Sequence, residues 1–460
     1  MRRTLREMQP TQFEEIVAVL GLYRPGPMEF IPNYIARKHG REEITYRHPA
    51  LEPILAETYG IIVYQEQIIR IATELAGYTP SEADLMRRAV GKKKKGELEQ
   101  QHARFVSGAT ANGIPQGAAE AIFADIEAFA NYGFNKSHGA AYAVLTLQTA
   151  YLKAHYPVQF MCALLSVERG NLEKTAGLIA QCRRLGMKVR PPDVQSSEVD
   201  FIIEPAADHP LEQRDQLLGV KDLAIRFGLG AIKNCGDGPA QVIVEARGNS
   251  PFSGIDDFVR RVDLRQVNKR ALECLIRAGA LDSLGPRNAL LAGLNQIVGE
   301  SQQIHRAREI GQRSLFELGL GRGADGGAGF ALPKAAAPIP QKKLLSDEKE
   351  LLGVYISAHP LDVLSEFLDD RLTPLSDING PMENEQVRVA GMVSSLRVIA
   401  TRKGDSMAFA QLEDLTDSKE LVIFPRTYDD ARGLLAEDAL LLVRARVDVR
   451  EGQTKLCAES

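Results

Sequence analysis

The chain has 460 residues, enough for about three domains, and with 44% hydrophobic and 25% charged residues most of it should be globular. A net charge of −4 excludes a uniformly basic surface, so any contact with nucleic acid must come from local basic patches. Cys162, Cys182, Cys235, Cys274 and Cys457 form no Cys-x-x-Cys pair and have no His at metal-ligand spacing, and no apolar run approaches the ~20 residues of a membrane helix. That pattern speaks against a zinc site, a disulfide scaffold and a membrane span, and leads us to expect a reducing, cytoplasmic setting.

Residues 1–165 read as mostly helical. They carry 18 Lys and Arg against 17 Asp and Glu, and six of the 18 fall between Arg87 and Lys95, so the positive charge is focused. Thr79-Pro80-Ser81-Glu82 is a helix start with Thr as N-cap, Pro at the first helical position and Glu three residues after the cap. That helix should stop near Gly91, and further helices are expected over 97–112, 116–130 and 136–155, the last ending before Pro157. Residues 166–228 read as a mixed region, with a helix over 171–185 and strand-like runs from Val199 to Ile203 and Leu217 to Val220. From 229 to 285 the pattern is helical again, punctuated by Gly236, Gly238, Gly279 and Gly285.

Gly, Ala and Pro dominate 317–340, which marks a linker and a domain boundary. A short helix over 346–352 follows, and then strands over 387–400, 406–413, 419–425, 439–447 and 453–458, with a helix over 427–435 between the third and fourth. Strands and helix in that order suggest an oligonucleotide-binding (OB) barrel. The expected fold class is therefore multidomain: a mainly α domain, an α helix-hairpin-helix region and a small all-β barrel. The expected divisions are 1–215, 216–320, a linker 321–345, a connector 346–380 and the barrel 381–460.

The start of the 136–155 helix brings a cation, a hydroxyl and an imidazole, Lys136, Ser137 and His138, to a place where unpaired backbone N–H groups favour an anion. The run Arg87-Arg88-Ala-Val-Gly-Lys92-Lys93-Lys94-Lys95 is a second basic element; it is not a P-loop, and by itself it is more often a solvated face. Tyr142 shares a helix face with His138, and spacing alone favours a core tyrosine about two to one. Residues 229–245 resemble a helix-hairpin-helix in which Gly236 and Gly238 form the turn and Lys233 adds a cation, giving phosphate binding without base readout. Asp237 departs from that motif, and a purely structural hairpin is nearly as good a reading; a looser hairpin runs through Arg277-Ala-Gly-Ala-Leu-Asp282. In Gln312-Arg-Ser-Leu315-Phe316 an apolar pair has no evident core to join, which suits an anchor for a partner pocket. In the barrel, Arg397, Arg402, Lys403 and Arg426 are candidates for a single-strand groove, against an alternative of packing or protein contact.

The segment from Asn131 to Pro157 and the Arg87 to Lys95 run together resemble the fingers of the bacterial DNA polymerase III alpha-subunit family, the C-family replicative polymerases. The likeness extends to Leu22-Tyr-Arg-Pro-Gly-Pro27, Tyr64-Gln-Glu-Gln67 and His359-Pro-Leu-Asp362 and covers nearly the whole chain in order. It implies that Arg87 and Arg88 contact the phosphates of an incoming nucleotide, that Lys92 and Lys93 hold its triphosphate or the template backbone, and that Asn135, Lys136, Ser137 and His138 complete the site. It also implies that Tyr142 faces the nascent base pair and that Gln312, Leu315 and Phe316 bind the sliding clamp.

DNA synthesis needs carboxylates that hold two divalent metals, Mg2+ in the complete enzyme, and no strand-borne Asp-x-Asp pair is found. In the family those aspartates lie in the palm, N-terminal to this segment, so the resemblance implies a fragment with no catalytic or metal-binding residue of its own. The partners it implies are primed DNA, single-stranded template, deoxynucleoside triphosphate, the sliding clamp and other holoenzyme subunits, with no membrane. A non-catalytic DNA- and clamp-binding adaptor and an error-prone paralogue stay open as alternatives, with the Gln-x-x-Leu-Phe peptide favouring the replicative form.

Overall fold

The computed structural model describes residues 1–24, 26–91, 95–129, 133–206, 222–309, 332–333, 337–358, 372–401, 404–414, 417–450 and 453–460. The expected Leu217–Val220 strand, the 317–331 stretch of the linker, Gln312, Leu315 and Phe316, Lys92 and Lys93, Arg402 and Lys403, and His359-Pro-Leu-Asp362 lie outside the described residues. The chain forms two compact units, Met1–Leu152 and Lys153–Ser460.

The first unit is helical, with α1 (Arg2–Met8), α2 (Phe13–Leu22), α3 (Ile31–Lys38), α4 (Glu52–Leu55), α5 (Gln65–Ala76), α6 (Pro80–Gly91), α7 (Lys95–Ala111), α8 (Gln116–Phe129) and α9 (Lys136–His155). Its core gathers side chains from α1 to α9, with Tyr34, Tyr64, Phe105 and Phe123 fully buried. Helix α6 starts where the capping box predicts. The Thr79 hydroxyl accepts from the Glu82 N–H at 3.3 Å, and the Glu82 carboxylate accepts from the Thr79 N–H and hydroxyl, both at 2.9 Å. Those bonds from Thr79, joined by Arg104, hold the Glu82 carboxyl down at about 2. Helices α5 and α7 cross so closely at Gly108 that a Cβ there would lie 2.2 Å from the Ala76 carbonyl oxygen.

Glu15 ties α2 to α3 and to the turn before α5. Its carboxylate accepts from Lys38 Nζ at 2.6 Å, the Tyr59 hydroxyl at 2.7 Å and the N–H groups of Thr11 and Gln12 at 2.6 and 3.2 Å. The ion-pair side chains are 3% and 8% exposed. Burial alone would raise the Glu15 pKa, but these donors, Lys38 foremost, outweigh it and hold the carboxyl at about 2.

In the second unit, α10 (Pro157–Glu168) and α11 (Leu172–Arg184) lead to a three-stranded sheet of order β1-β3-β2, with β1 (Lys188–Arg190) parallel and β2 (Ile202–Pro205) antiparallel to β3 (Leu223–Arg226). Then follow α12 (Asp237–Arg247), α13 (Ile255–Arg261), α14 (Lys269–Arg277), α15 (Arg287–Ala292), α16 (Leu294–Glu309) and α17 (Gln341–Leu352). One core runs through all of this, from Val158 to Val354, so residues on both sides of position 215 share it. Helix α17 begins five residues before the expected 346, with Pro340 at its N-cap.

The chain ends in a closed barrel of β4 (Gln386–Ala400), β5 (Ser406–Glu413), β6 (Ser418–Ile423), β7 (Leu440–Arg450) and β8 (Gln453–Ala458), ordered β4-β5-β6-β8-β7. Alternation along the strands sends Val387, Val389, Ala408, Ala410, Leu412, Leu421, Ile423, Val443, Ala445, Val447 and Leu456 inside. The β6–β8 pair is parallel and the others antiparallel, and α18 (Pro425–Ala431) links β6 to β7. A helix between the third and fourth strands is the OB arrangement expected from the sequence.

Candidate nucleotide and nucleic-acid interface

The four residues Tyr64-Gln-Glu-Gln67 fix where α9 begins. Gln67 is buried with its amide fully used: Oε1 accepts from the N–H groups of Val63 and Tyr64 at 2.8 and 3.0 Å, and Nε2 donates to Thr58 Oγ1 at 2.8 Å and the Ile54 carbonyl at 3.3 Å. Gln65 donates from its backbone to the Phe134 carbonyl at 3.0 Å and from its side chain to the Gly133 carbonyl at 2.8 Å. Tyr64 and Phe134 form a parallel bridge, and the Phe134 N–H donates to the Val63 carbonyl at 3.0 Å. The Glu66 carboxylate accepts from the Lys136 N–H at 3.0 and 3.1 Å.

That carboxylate changes the electrostatics read from the sequence. The N-terminus of α9 does favour an anion, and Glu66 already supplies one to its first N–H. Asn135 Oδ1 accepts from the His138 N–H at 2.8 Å, so Asn135 caps the helix. Lys136 Nζ donates to Glu57 at 2.5 Å and lies 5.5 Å from the Tyr64 ring centroid. Ser137 and His138 remain exposed.

His138 stands between two rings, with centroids 5.7 Å from Phe134 and 4.8 Å from Tyr142. Tyr142 is 55% exposed, which removes the core reading that spacing alone favours. The buried side of α9 is carried by Gly139 and Ala143. A Cβ on Gly139 would lie 2.7 Å from the Phe134 ring, so glycine there lets α9 settle onto it. Val144, Leu145, Leu147 and Leu152 are also exposed, so α9 presents an apolar surface next to its polar start.

The second basic element starts on α6, which packs on α5, the helix whose N-terminus anchors α9. Asp84 gathers both arginines. Arg87 donates to Asp84 Oδ1 at 2.8 and 3.1 Å, and Arg88 lies 2.8 Å from Oδ2. Arg87 is largely buried and Arg88 is 63% exposed, so Arg88 is the freer of the two to change partners.

In the second unit Gly236, at φ +71°, is the N-cap of α12 and gives it no side-chain cap. Lys233, Gly236 and Gly238 are exposed together there. Asp237, the departure from the motif, is paired with Arg169 at 2.7 Å, and Arg169 also pairs with Asp200. The looser hairpin near Gly279 is closed off: Arg287 donates to the Arg277 carbonyl at 3.1 Å and pairs with Asp282, and a Cβ on Gly279 would lie 2.2 Å from the Arg287 guanidinium.

On the barrel, Arg397 and Phe409 are cross-strand partners, the guanidinium 5.3 Å from the ring centroid. This outward-facing pair offers one π-face and one cation. Arg426 is exposed on α18. The sequence shows Arg397 as a groove candidate and Phe409 as one of the few barrel aromatics that could stack a base; alternation places both on the outer face, while their pairing requires the register. Among the described residues no group of three or more His, Cys, Asp or Glu side chains could hold a metal ion, and no helix is long and apolar enough to cross a membrane.

Residues 1–113 match the model of the bacterial DNA polymerase III alpha subunit finger domain, 186–291 that of a helix-hairpin-helix motif, and 387–460 that of an OB-fold nucleic acid binding domain. The sequence is 43% identical to the DNA polymerase III subunit alpha of Thermus aquaticus, covering 98% of this chain and 36% of the relative. It is 38% identical to that of Pseudomonas fluorescens and 37% identical to that of Escherichia coli K12, each time over 97% of this chain and 38% of the relative. The chain therefore spans little more than a third of the length of these relatives.

Proposed function

Because the chain belongs to the bacterial DNA polymerase III alpha family, we propose that it provides the nucleotide- and DNA-binding part of template-directed transfer from deoxynucleoside triphosphates to a primer 3′ end. The observation that carries this reading is the anchored start of α9, where Ser137, His138 and Tyr142 are held in the open by Tyr64-Gln-Glu-Gln67. In it Arg88 and Lys136 exchange their carboxylate partners for phosphates. Arg87, Lys92 and Lys93 extend the contact, Asn135 holds the helix start, and His138 neutralises charge on the phosphates while Tyr142 meets the base pair. The hairpin at Lys233, Gly236 and Gly238 binds backbone phosphate, with Arg169 offsetting the charge of Asp237. On the barrel, Arg397 takes single-stranded template together with Phe409, Arg402 and Lys403.

Gln312, Leu315 and Phe316 tether the sliding clamp in this reading, and further holoenzyme subunits join the assembly in the cytoplasm. The divisions at 1–215, 216–320, 321–345, 346–380 and 381–460 are our reading of its functional parts. The transfer itself requires a divalent metal, Mg2+; the described residues do not form a set that fits it, so no step of the chemistry is assigned to them.

The test is titration of the purified chain with fluorescent primed DNA, with deoxynucleoside triphosphate and with a sliding clamp, followed by primer extension with Mg2+ and all four triphosphates. Binding of DNA and nucleotide that His138→Ala and Arg88→Ala each weaken supports the reading. An absence of binding to both probes refutes it. Clamp binding that survives the Leu315→Ala, Phe316→Ala double substitution removes the tether alone.

A further inference from the structure

Arg24 lies two residues beyond α2, is exposed, and has no acidic partner among the described residues. In this it differs from Lys136, Arg87 and Arg88, each of which is paired with Glu57 or Asp84. Its guanidinium carbon lies 4.5 Å from the Phe134 ring centroid. Phe134 is itself fixed: it is 6% exposed, bridged to Tyr64, and seated where Cβ atoms on Gly21 and Gly139 would come within 3.2 and 2.7 Å of its ring. A guanidinium stacked on an immobile ring has surrendered much of its rotamer freedom before any ligand arrives, and its planar fork matches phosphate oxygens two at a time.

Ring contacts continue from Phe134 to His138, edge to face, and on to Tyr142, tilted. Cation, ring, imidazole and exposed ring thus follow one another from the end of α2 along the start of α9. Basic and aromatic groups interleaved in this way suit a ligand that carries both phosphates and bases.

We propose that Arg24 is a phosphate-binding residue of the α9 site, pre-positioned by Phe134. This rests on the nucleotide- and DNA-binding reading above and adds to it a cation with no acidic partner among the described residues. The phosphate is either one in the primed-DNA backbone or one in the triphosphate of the nucleotide, which are the same chemistry from two sources.

The experiment compares the full chain with Arg24→Ala, Arg24→Lys and His138→Ala, titrating primed DNA without nucleotide and deoxynucleoside triphosphate without DNA, with DNA affinity measured over a range of salt concentrations. Arg24→Ala should weaken one of the two ligands roughly 10- to 150-fold, the effect of one charge-assisted bond from which no forfeited ion pair is subtracted. If DNA is the ligand, the slope of log affinity against log salt should become shallower by ~0.7–0.9, as expected for one lost phosphate contact. Arg24→Lys should keep that slope and recover only part of the affinity, because a lysine keeps the charge and lacks the planar stack. A merely structural arginine would not move the salt slope.

Loss in the DNA arm assigns a backbone phosphate, and loss in the nucleotide arm assigns the triphosphate. Unchanged affinity in both arms while His138→Ala still weakens binding overturns the role of Arg24 and leaves the site reading standing. Failure of the unmodified chain to bind either probe overturns both. The thermal midpoint of Arg24→Ala, an exposed residue with no ion pair among the described residues, serves as the check that the unit stays folded.

Discussion

Lys136 can reach a phosphate only by leaving Glu57, so changing Glu57 tests whether it does. The pair is 2.5 Å long between side chains 38% and 31% exposed, a setting in which an ion pair is worth ~0.5–1 kcal/mol. If the ligand must displace Glu57, then Glu57→Gln relieves about that much and should tighten nucleotide binding roughly 2- to 5-fold. Lys136→Ala removes a charge-assisted bond to phosphate worth ~1.5–3 kcal/mol, from which the forfeited pair is subtracted. The remaining ~1–2 kcal/mol corresponds to binding roughly 5- to 30-fold weaker. The double variant should bind like Lys136→Ala, because without the lysine there is no partner for Glu57 to withhold. Titration calorimetry with deoxynucleoside triphosphate at one fixed ionic strength measures all four proteins. Equal affinities for all four would refute the exchange and leave Lys136 as an anchor between Glu57 and the Tyr64 ring.

Three further outcomes are expected. The Glu15 carboxyl sits at about 2 against an ordinary 4.5, so its contribution is complete above 4.5 and is lost as pH falls through 2; the shift corresponds to about 3 kcal/mol. Denaturant unfolding should show that decline, and Glu15→Gln should flatten it; an unchanged pH profile in the variant would assign the decline to other groups. Gly108→Ala should lower the stability of the first unit by ~1–3 kcal/mol, because its Cβ meets backbone rather than a movable side chain, and an unaltered thermal midpoint would contradict this. Phe409→Ala should reduce single-strand affinity by ~1–3 kcal/mol, the worth of one stacked base, with a smaller loss for Arg397→Ala; intact oligonucleotide binding by both would leave the barrel as a packing module.

The legible parts of the fold are those whose causes are local. Thr79 and Glu82 close a box across three residues, and the barrel strands show an alternation that turns interrupt, so both could be read in one pass. The true start of α17 is hard to read because its entry at Pro340 lies within a proline- and alanine-rich stretch that reads as linker. Tyr142 could not be settled by spacing, since a period of 3.6 groups residues on a face without saying whether that face meets protein or solvent. The partners of the site's cations were the least legible. Glu57 lies 79 residues from Lys136, and Arg24 is far from Phe134 in sequence, so only the fold brings them together.

Charge at the start of α9 explains why that hidden pairing matters. Lys136 is in contact with Glu57 and Glu66, and the three together carry one net negative charge. A helix N-terminus offsets roughly half a charge, which still leaves no attraction for a polyanion from these groups. Lys136 alone therefore cannot make this helix start a triphosphate site, even though its sequence suggests one. The missing positive charge has to come from cations that other parts of the first unit supply. Arg24 stands beside Phe134 with no acidic partner among the described residues, and Arg88, although paired with Asp84, is 63% exposed. Glu57 and Glu66 then act as placeholders: they hold Lys136 and the first N–H of α9 in position while no ligand is bound, and Glu57 yields when a phosphate arrives with enough cations around it. On this account affinity depends more steeply on Arg24 than on Lys136 or Arg88, because Lys136 and Arg88 each give up a carboxylate for the phosphate they gain and Arg24 gives up none.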